Sequence, residues 1–515
     1  MKTCCSLILL LLTFAFTHAQ TPAKADTIVP GKAPAETQLK EIKEKKVILH
    51  SDSADNVPKK DGLIDTTLQN KYGDLLNDDT AYNKKYPFWK PAIAVVGINT
   101  FVWAEDRFIA NADFSHIGAK TWAYNIKHGW EWDRDRFGIN FIGHPYSGTL
   151  SFNAARSSGY NYLQSSIFSI GGSLMWEYFG ENTRPSYNDI INTPVNGAFL
   201  GEIFYRLSSN ILDDRTTGRE RVFREIFAGI IDPMRGLNRL LQKKTFRRTN
   251  KEVYQKEPLN ITLSGGLHQI TNNSYTFLGA GPSNMVFMAQ FDYGNPFEDR
   301  RRKPFDFFRL RTEVSLGVGR KILGDINGYG VLFGKNIQIG KMDALIGGFQ
   351  YYDYLDSKTF ELGAIGFGGG LFTKLPLGKK NNLYSDIHIA GVPFAGNSLR
   401  FVSDTSQVRD YVFGGGLEAK VEATLTLGKY ATASVVYYYW WIHTYVGTAG
   451  NNLVGLLKPK ITVQIYKNIN LGLEHYIYYN DRYLNNAPAS HSIRTEQKVF
   501  LQIFLEDPQR KGRYN

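Results

Sequence analysis

Cysteine is nearly missing from this chain. Its 515 residues hold two, Cys4 and Cys5, and both precede the apolar run near the N-terminus, where neither fits a lipoprotein cleavage site. A chain cleaved after that run keeps no thiol, which excludes disulfides, Cys-ligated zinc and a Cys nucleophile. Long apolar runs are missing too. The best, "PAIAVVGINTFVWA" (Pro91–Ala104), stops at Glu105-Asp106, short of the roughly 18 residues a spanning helix needs. There is no Glu-x-x-His pair of the kind that builds carboxylate-bridged metal centres, so no metal and no cofactor are expected. Nor is there a Gly-x-Ser-x-Gly elbow. The formal charge is +12, but Lys and Arg are spread along the chain without a recognition motif. That excludes nucleic acid as the expected partner.

What is present starts with an address. Lys2, the run "SLILLLLTFAF" (Ser6–Phe16) and the small-x-small site Thr17-His18-Ala19 read as a secretory signal peptide, residues 1–19. Residues 20–85 are polar, rich in Lys, Asp and Thr, and interrupted by proline. They read as a flexible periplasmic segment able to meet a periplasmic protein. A secreted chain without spanning helices is soluble or crosses a membrane as a barrel.

From 256 to 506 the texture favours the barrel. Segments of roughly ten residues alternate apolar with polar or small positions between Gly-, Asn- and Asp-rich turns. In "KVEATLTLG", Val421, Ala423, Leu425 and Leu427 face one way and Glu422, Thr424 and Thr426 the other. Twelve such segments can be marked, from "LNITLSGGLHQI" to "RTEQKVFLQIFLE", an even number as single-chain bacterial barrels have. Aromatics are 14% of the chain and cluster in "YYYWWIHTY", "FQYYDY" and "EHYIYYNDRY", as interface girdles do. "GKYAT" and "KNIN" read as tight hairpins, while "NPFEDRRRKP" (Asn295–Pro304) and "NDRYLNNAPASHS" read as longer links on the outer side. The Gly-rich "GFGGGLF" (Gly366–Phe372) lies in a strand, so it is no phosphate loop. The last residues, 507–515, form a basic tail.

Residues 86–255 carry helix grammar instead. Thr193 with Pro194 reads as a cap followed by a first helical residue, and Asp232 with Pro233 repeats it. "FSIGGSLMWEYFGEN" reads as another helix. Too short and too charged to face lipid, these helices are expected in the periplasm or as a plug in the lumen. The fold class is thus mostly β: a transmembrane antiparallel barrel of about twelve strands preceded by a helical insert. Its location is the outer membrane of a Gram-negative bacterium, with the surrounding lipid as a partner.

In the insert, His144-Pro145, the Asn153–Arg156 run, Trp176-Glu177 followed by Glu181, Pro185-Ser186 followed by Asp189, and Gly201-Glu202 occur in order. Over about 140–209 this set resembles the bacterial family known as domain of unknown function 3943, which implies no activity. Read physically, Glu177 and Glu181 share a helical face and need partners. The small stripe Gly197/Gly201 lets Glu202 come close, with His144, Arg156, Arg184 and Arg206 as cations. The expectation is a buried ion-pair network of Arg156, Glu177, Glu181, Glu202 and Arg206 that fastens the insert. The competing reading is an enzyme acting on outer-membrane lipid or lipopolysaccharide, with His144, Ser147 or Ser151 and Glu177 as catalytic candidates. The chain is read as a binding, transport or structural barrel rather than an enzyme.

Overall fold

The structure is a computed structural model that describes residues 83–506 except 134, 272–282, 301, 317–322, 357–360, 399–410 and 486–487. The signal peptide, nearly all of the polar N-terminal segment and the basic tail lie outside the described residues. The described residues form one compact unit.

Twelve antiparallel strands close into a barrel in chain order. They are β1 (Leu259–Thr271), β2 (Ser283–Tyr293), β3 (Phe308–Leu316), β4 (Leu323–Ile339), β5 (Met342–Asp356), β6 (Glu361–Leu377), β7 (Asn381–Ser398), β8 (Tyr411–Leu427), β9 (Ala431–Val446), β10 (Gly450–Tyr466), β11 (Ile469–Leu484) and β12 (Ser490–Leu505). β1 pairs with both β2 and β12, so no edge is left open. Which side chains face inward follows from contacts across the barrel. Arg309 on β3 reaches Glu422 on β8, Lys420 on β8 reaches Asp353 on β5, and Lys498 on β12 reaches Glu313 on β3. The alternate residues point out and are largely apolar and exposed, among them Ile389, Leu417, Ile461, Leu473, Leu501 and Ile503. This is the period of two that a polar lumen and an apolar exterior impose.

Parity corrects one expectation. The 295–304 link joins β2 to β3, so it lies at the end of the barrel that carries the tight turns after β4, β6, β8 and β10. The link after β11 lies at the opposite, long-loop end. The "FQYYDY" cluster is also not a girdle. Tyr351 points into the lumen, where its hydroxyl meets His388 Nδ1 at 2.9 Å, while Tyr352 points out and donates to the Phe141 carbonyl at 2.5 Å.

Among the described residues seven α-helices precede the barrel: α1 (Trp89–Glu105), α2 (Ala119–His128), α3 (His144–Arg156), α4 (Tyr162–Phe179), α5 (Tyr187–Ile211), α6 (Gly218–Ile231) and α7 (Pro233–Leu241). None of the described helices is long and apolar enough to cross a membrane alone. Asn161 caps α4 and Asp232 caps α7, each accepting from the backbone three residues on. α5 departs from the expected start at Thr193. Ser186 caps it and the helix runs through Pro194, which gives up the bond that residue 194 would make to the Ile190 carbonyl. α3 and α5 cross at backbone contact: a Cβ on Gly148 would stand 1.9 Å from the Thr193 carbonyl oxygen, and one on Gly197 2.5 Å from the Gly148 carbonyl carbon.

The position of these helices overturns the plug. They pack against the outer wall. Phe137, Phe141 and Phe199 share one core with the outward-facing Phe308, Tyr352, Tyr354, Phe394, Tyr411 and Phe413. Tyr162 donates to Gln350 at 2.6 Å, and Gln350 donates to the Val195 carbonyl at 3.0 Å. The lumen has no room for them, because the barrel's own side chains fill its middle.

Candidate functional site

Two polar interiors result, one in the helical unit and one in the lumen. In the helical unit, the loop after α2 brings Asp133 and Asp135 to the start of α3 and α5. His144 Nε2 lies 3.4 Å from both Asp135 and Asp189. Asn140 donates to Asp133 at 3.1 Å and to the Tyr411 hydroxyl at 2.6 Å, which ties the cluster to the barrel wall. Asn188 donates to Asn140 at 2.9 Å and to Asp189 at 3.0 Å. Asn192 bonds the Asn140 carbonyl, and Asn196 donates to Asn192 at 2.6 Å, so a ladder of amides descends one face of α5. Asp189 is buried, but the Asp135 side chain is 47% exposed, so the cluster opens on one side. A histidine held between carboxylates can store and pass a proton. Donor atoms of Asp133, Asp135 and His144 lie within 4.8 Å of one another, as do those of His268, Glu313 and Glu496 in the lumen. These are the two places where the described residues could hold a cation.

Toward the tight-turn end of α5 sits a second cluster. Glu202 is fully buried and takes Arg156 at 2.7 Å and Arg206 at 2.9 Å, and Arg206 lies 3.4 Å from Asp306 in the β2–β3 link. Three of the expected network residues therefore meet. Glu177 and Glu181 do not join them. Glu177 accepts the Ser186 N–H at 2.7 Å, and Glu181 accepts from Trp176 at 2.5 Å and Thr183 at 3.0 Å. α4 ends at Phe179 and Glu181 lies in the turn beyond it, yet the two carboxylates stay close enough to repel each other and both interact with the His144 imidazole. Arg184 pairs with Glu131. Ser147 is half-buried one turn along from His144, and among the described residues no hydrogen bond joins the two. Ser151 is buried against α4.

Sequence reasoning missed Asp133, Asp135 and Asn140, gave Asp189 a place in the motif set but no partner, and missed a buried knot around Asp214. Arg221, Arg239 and Arg247 converge on that carboxylate at 2.9, 3.0 and 2.6 Å, and Tyr254 donates to it at 2.8 Å. Burial opposes its ionisation, but the three guanidinium groups prevail and hold its pKa below the ordinary carboxylate value. The Asp-Arg-Asp spacing at 133–135 was the available signal for the first group. The second comes from residues far apart in the chain.

The lumen is divided. Toward the long-loop side the described inward-facing side chains are closely packed. Lys420 meets Asp353 at 2.7 Å, and Trp440 donates to Glu418 at 2.9 Å. On the tight-turn side lies a cavity of about 930 Å³ lined by Arg309, Arg311, Lys460, Asp292, Glu422 and Glu474 among others.

Fold and site together define a closed antiparallel β-barrel of the kind that crosses membranes, carrying a helical unit on its outer wall. Within that unit, residues 129–234 match the family model described as Domain of unknown function (DUF3943). No curated protein matches the chain. Among solved structures it is similar to an outer membrane channel from Pseudomonas putida F1, at 10% identity and TM-score 0.27 over 48% of this chain and 96% of that one. It is similar to the outer membrane channel DcaP of Acinetobacter baumannii at 7% identity and TM-score 0.22, over 48% and 96%. An anion-selective porin from Comamonas acidovorans matches at 9% and 0.23, over 48% and 99%. Likeness at these scores bears on neither substrate nor mechanism.

Proposed function

We propose that the chain is an outer-membrane barrel that binds a polar solute in a blind lumen rather than conducting one through an open pore. The apolar exterior, the closed sheet and the secretory leader read from the sequence support the membrane location. One observation carries the rest. A water-filled pore leaves its lining accessible, yet the inward-facing Trp440 and Lys498 are 0% exposed, Asp353 1% and Lys420 2%. The buried charges Lys420 and Asp353 pair with each other, as do Lys498 and Glu313, and among the described residues this layer leaves them almost no contact with water. The charged cavity on the tight-turn side is then a recess of the size that small-molecule sites occupy, and its mixed signs fit a polar solute.

Conductance in a planar bilayer tests this. The purified protein should show no steady porin-like conductance. Trp440→Ala combined with Lys420→Ala, which removes the packed layer, should raise it. A large steady conductance in the unaltered protein would contradict the reading.

A further inference from the structure

We propose that the helical unit lies in the lipid beside the barrel, with the outer faces of α1 and α4 in contact with acyl chains. This rests on reading the barrel as membrane-spanning.

The polarity of the helices is inverted. α4 buries Ser165, Ser169, Ser173 and Glu177 along with Phe168 and Gly172, and it exposes Leu163, Ile167, Ile170 and Phe179. α7 buries Arg235, Asn238 and Arg239 and exposes Leu240 and Leu241. A helix in water places its apolar stripe inward. A helix bundle in lipid has no such drive and gathers small and polar residues at its contacts. The exposed faces also lack charge where lipid would lie. Pro91–Ala104 holds no charged residue, and in α4 the sole one is the buried Glu177. At about 1.5 Å per residue the α1 stretch covers roughly 20 Å.

Aromatic and basic residues mark both borders of this band. Phe88 (65% exposed) and Trp89 (57%) lie at one end beside Lys84, Lys85 and Lys90. Phe108, Trp122 and Tyr124 lie at the other, with Lys120 and Lys127 close by. That is the arrangement of an interfacial belt. The unit also stands at the right height. α5 starts at the long-loop end, where Tyr187 packs on Trp132 and Trp132 on Phe394 and Phe413. It finishes at the tight-turn end, where Asn210 donates to the Glu257 carbonyl at 2.8 Å. Its 25 residues make roughly 37 Å, against a hydrocarbon core of about 30 Å. The polar α5 is thereby enclosed by the barrel wall, α3 and α4. Finally, the barrel's own outward-facing Phe333, Ile346, Ile389 and Leu417 are apolar and exposed as well. A protein partner would have to cover a surface that lipid already has to cover.

The test uses the full chain with Cys4 and Cys5 replaced by serine and one fluorophore-labelled cysteine, at Ile167→Cys on α4 or at Leu501→Cys on the barrel wall. Each is reconstituted in phosphatidylcholine vesicles with and without acyl-brominated lipid. Quenching at Ile167→Cys to the same extent as at Leu501→Cys, with neither probe reached by aqueous iodide, is the expected result. Quenching by bromine at Leu501→Cys but by iodide at Ile167→Cys overturns the inference and leaves the barrel reading standing. Iodide quenching at both overturns both.

Discussion

In β12, Glu496 and Lys498 point inward and Val499 and Leu501 lie exposed on or beside the outer wall; in α4, Ser169 and Glu177 point inward and Ile167 and Ile170 outward. The two regions reach one plan by different routes. The barrel satisfies its backbone between strands, so it must close, and closure then creates the polar lumen. The helical unit satisfies its backbone within each helix and is free to stay open. Its polar side chains must instead find partners on other helices, and they do so at Gly148/Gly197, at Glu202 and at Asp214. The barrel's interior is thus a consequence of topology, whereas the helical interior depends on a few contacts and should be the easier of the two to break.

The largest effect should come from Gly197→Leu. The added side chain meets the α3 backbone, which cannot rotate away, and overpacking of this kind costs about 3 kcal/mol or more. The helical unit should lose its far-UV helical signal while heat-modifiable migration of the barrel on a denaturing gel persists. Loss of both together would show that the regions fold as one.

Glu202→Ala comes next. It leaves Arg156 and Arg206 facing each other without their carboxylate, a loss of about 3–5 kcal/mol for a buried pair. Glu202→Gln should be milder, because it keeps hydrogen-bonding capacity. A melting temperature unchanged by Glu202→Ala would mean that the cluster does not fasten α5. Glu177→Ala should cost less, about 1–3 kcal/mol, since it orphans a buried backbone N–H rather than two charges.

Acid should separate the two regions further. Asp214 has a depressed folded pKa, so its contribution is complete above the ordinary carboxylate value near about 3.9 and is lost as pH falls below it. Helical signal should therefore decline below about pH 4, and Asp214→Asn should flatten that decline. An unchanged acid profile in Asp214→Asn would remove the knot from the account. The smallest effect belongs to the outer faces: Leu163→Ala in detergent should shift stability by less than about 0.5 kcal/mol.

How much of this was legible differs between the regions for a physical reason. In a strand, the alternation of Val421 with Glu422 states both the element and which side is wet, because a closed barrel offers two faces of opposite character. In α4 the stripes of Ser165/Ser169/Ser173 and of Leu163/Ile167/Ile170 were equally plain, but a helical stripe does not say which side is in. The short helices and their charges, taken together as unfit to face lipid, led to a plug or a periplasmic unit. Arg156, Glu202 and Arg206 could be grouped because Gly197 signals close approach. Asp133 and Asp189 could not, because their meeting depends on how the loop before α3 folds back onto α5. Glu177 and Glu181 do stay near each other, but their shared cation is His144 and not Arg156 or Arg206.

The claim that both regions present apolar faces to one bilayer is tested most directly by a nitroxide scan along α4 from residue 161 to 179 and along β12, reading collision with oxygen against collision with a water-soluble nickel chelate in vesicles. The account predicts oxygen maxima at Leu163, Ile167 and Ile170 equal in height to those at Val499 and Leu501, with the nickel signal confined to the ends of both elements. Nickel maxima at Ile167 and Ile170 alongside oxygen maxima at Leu501 would place the helical unit in water and contradict it.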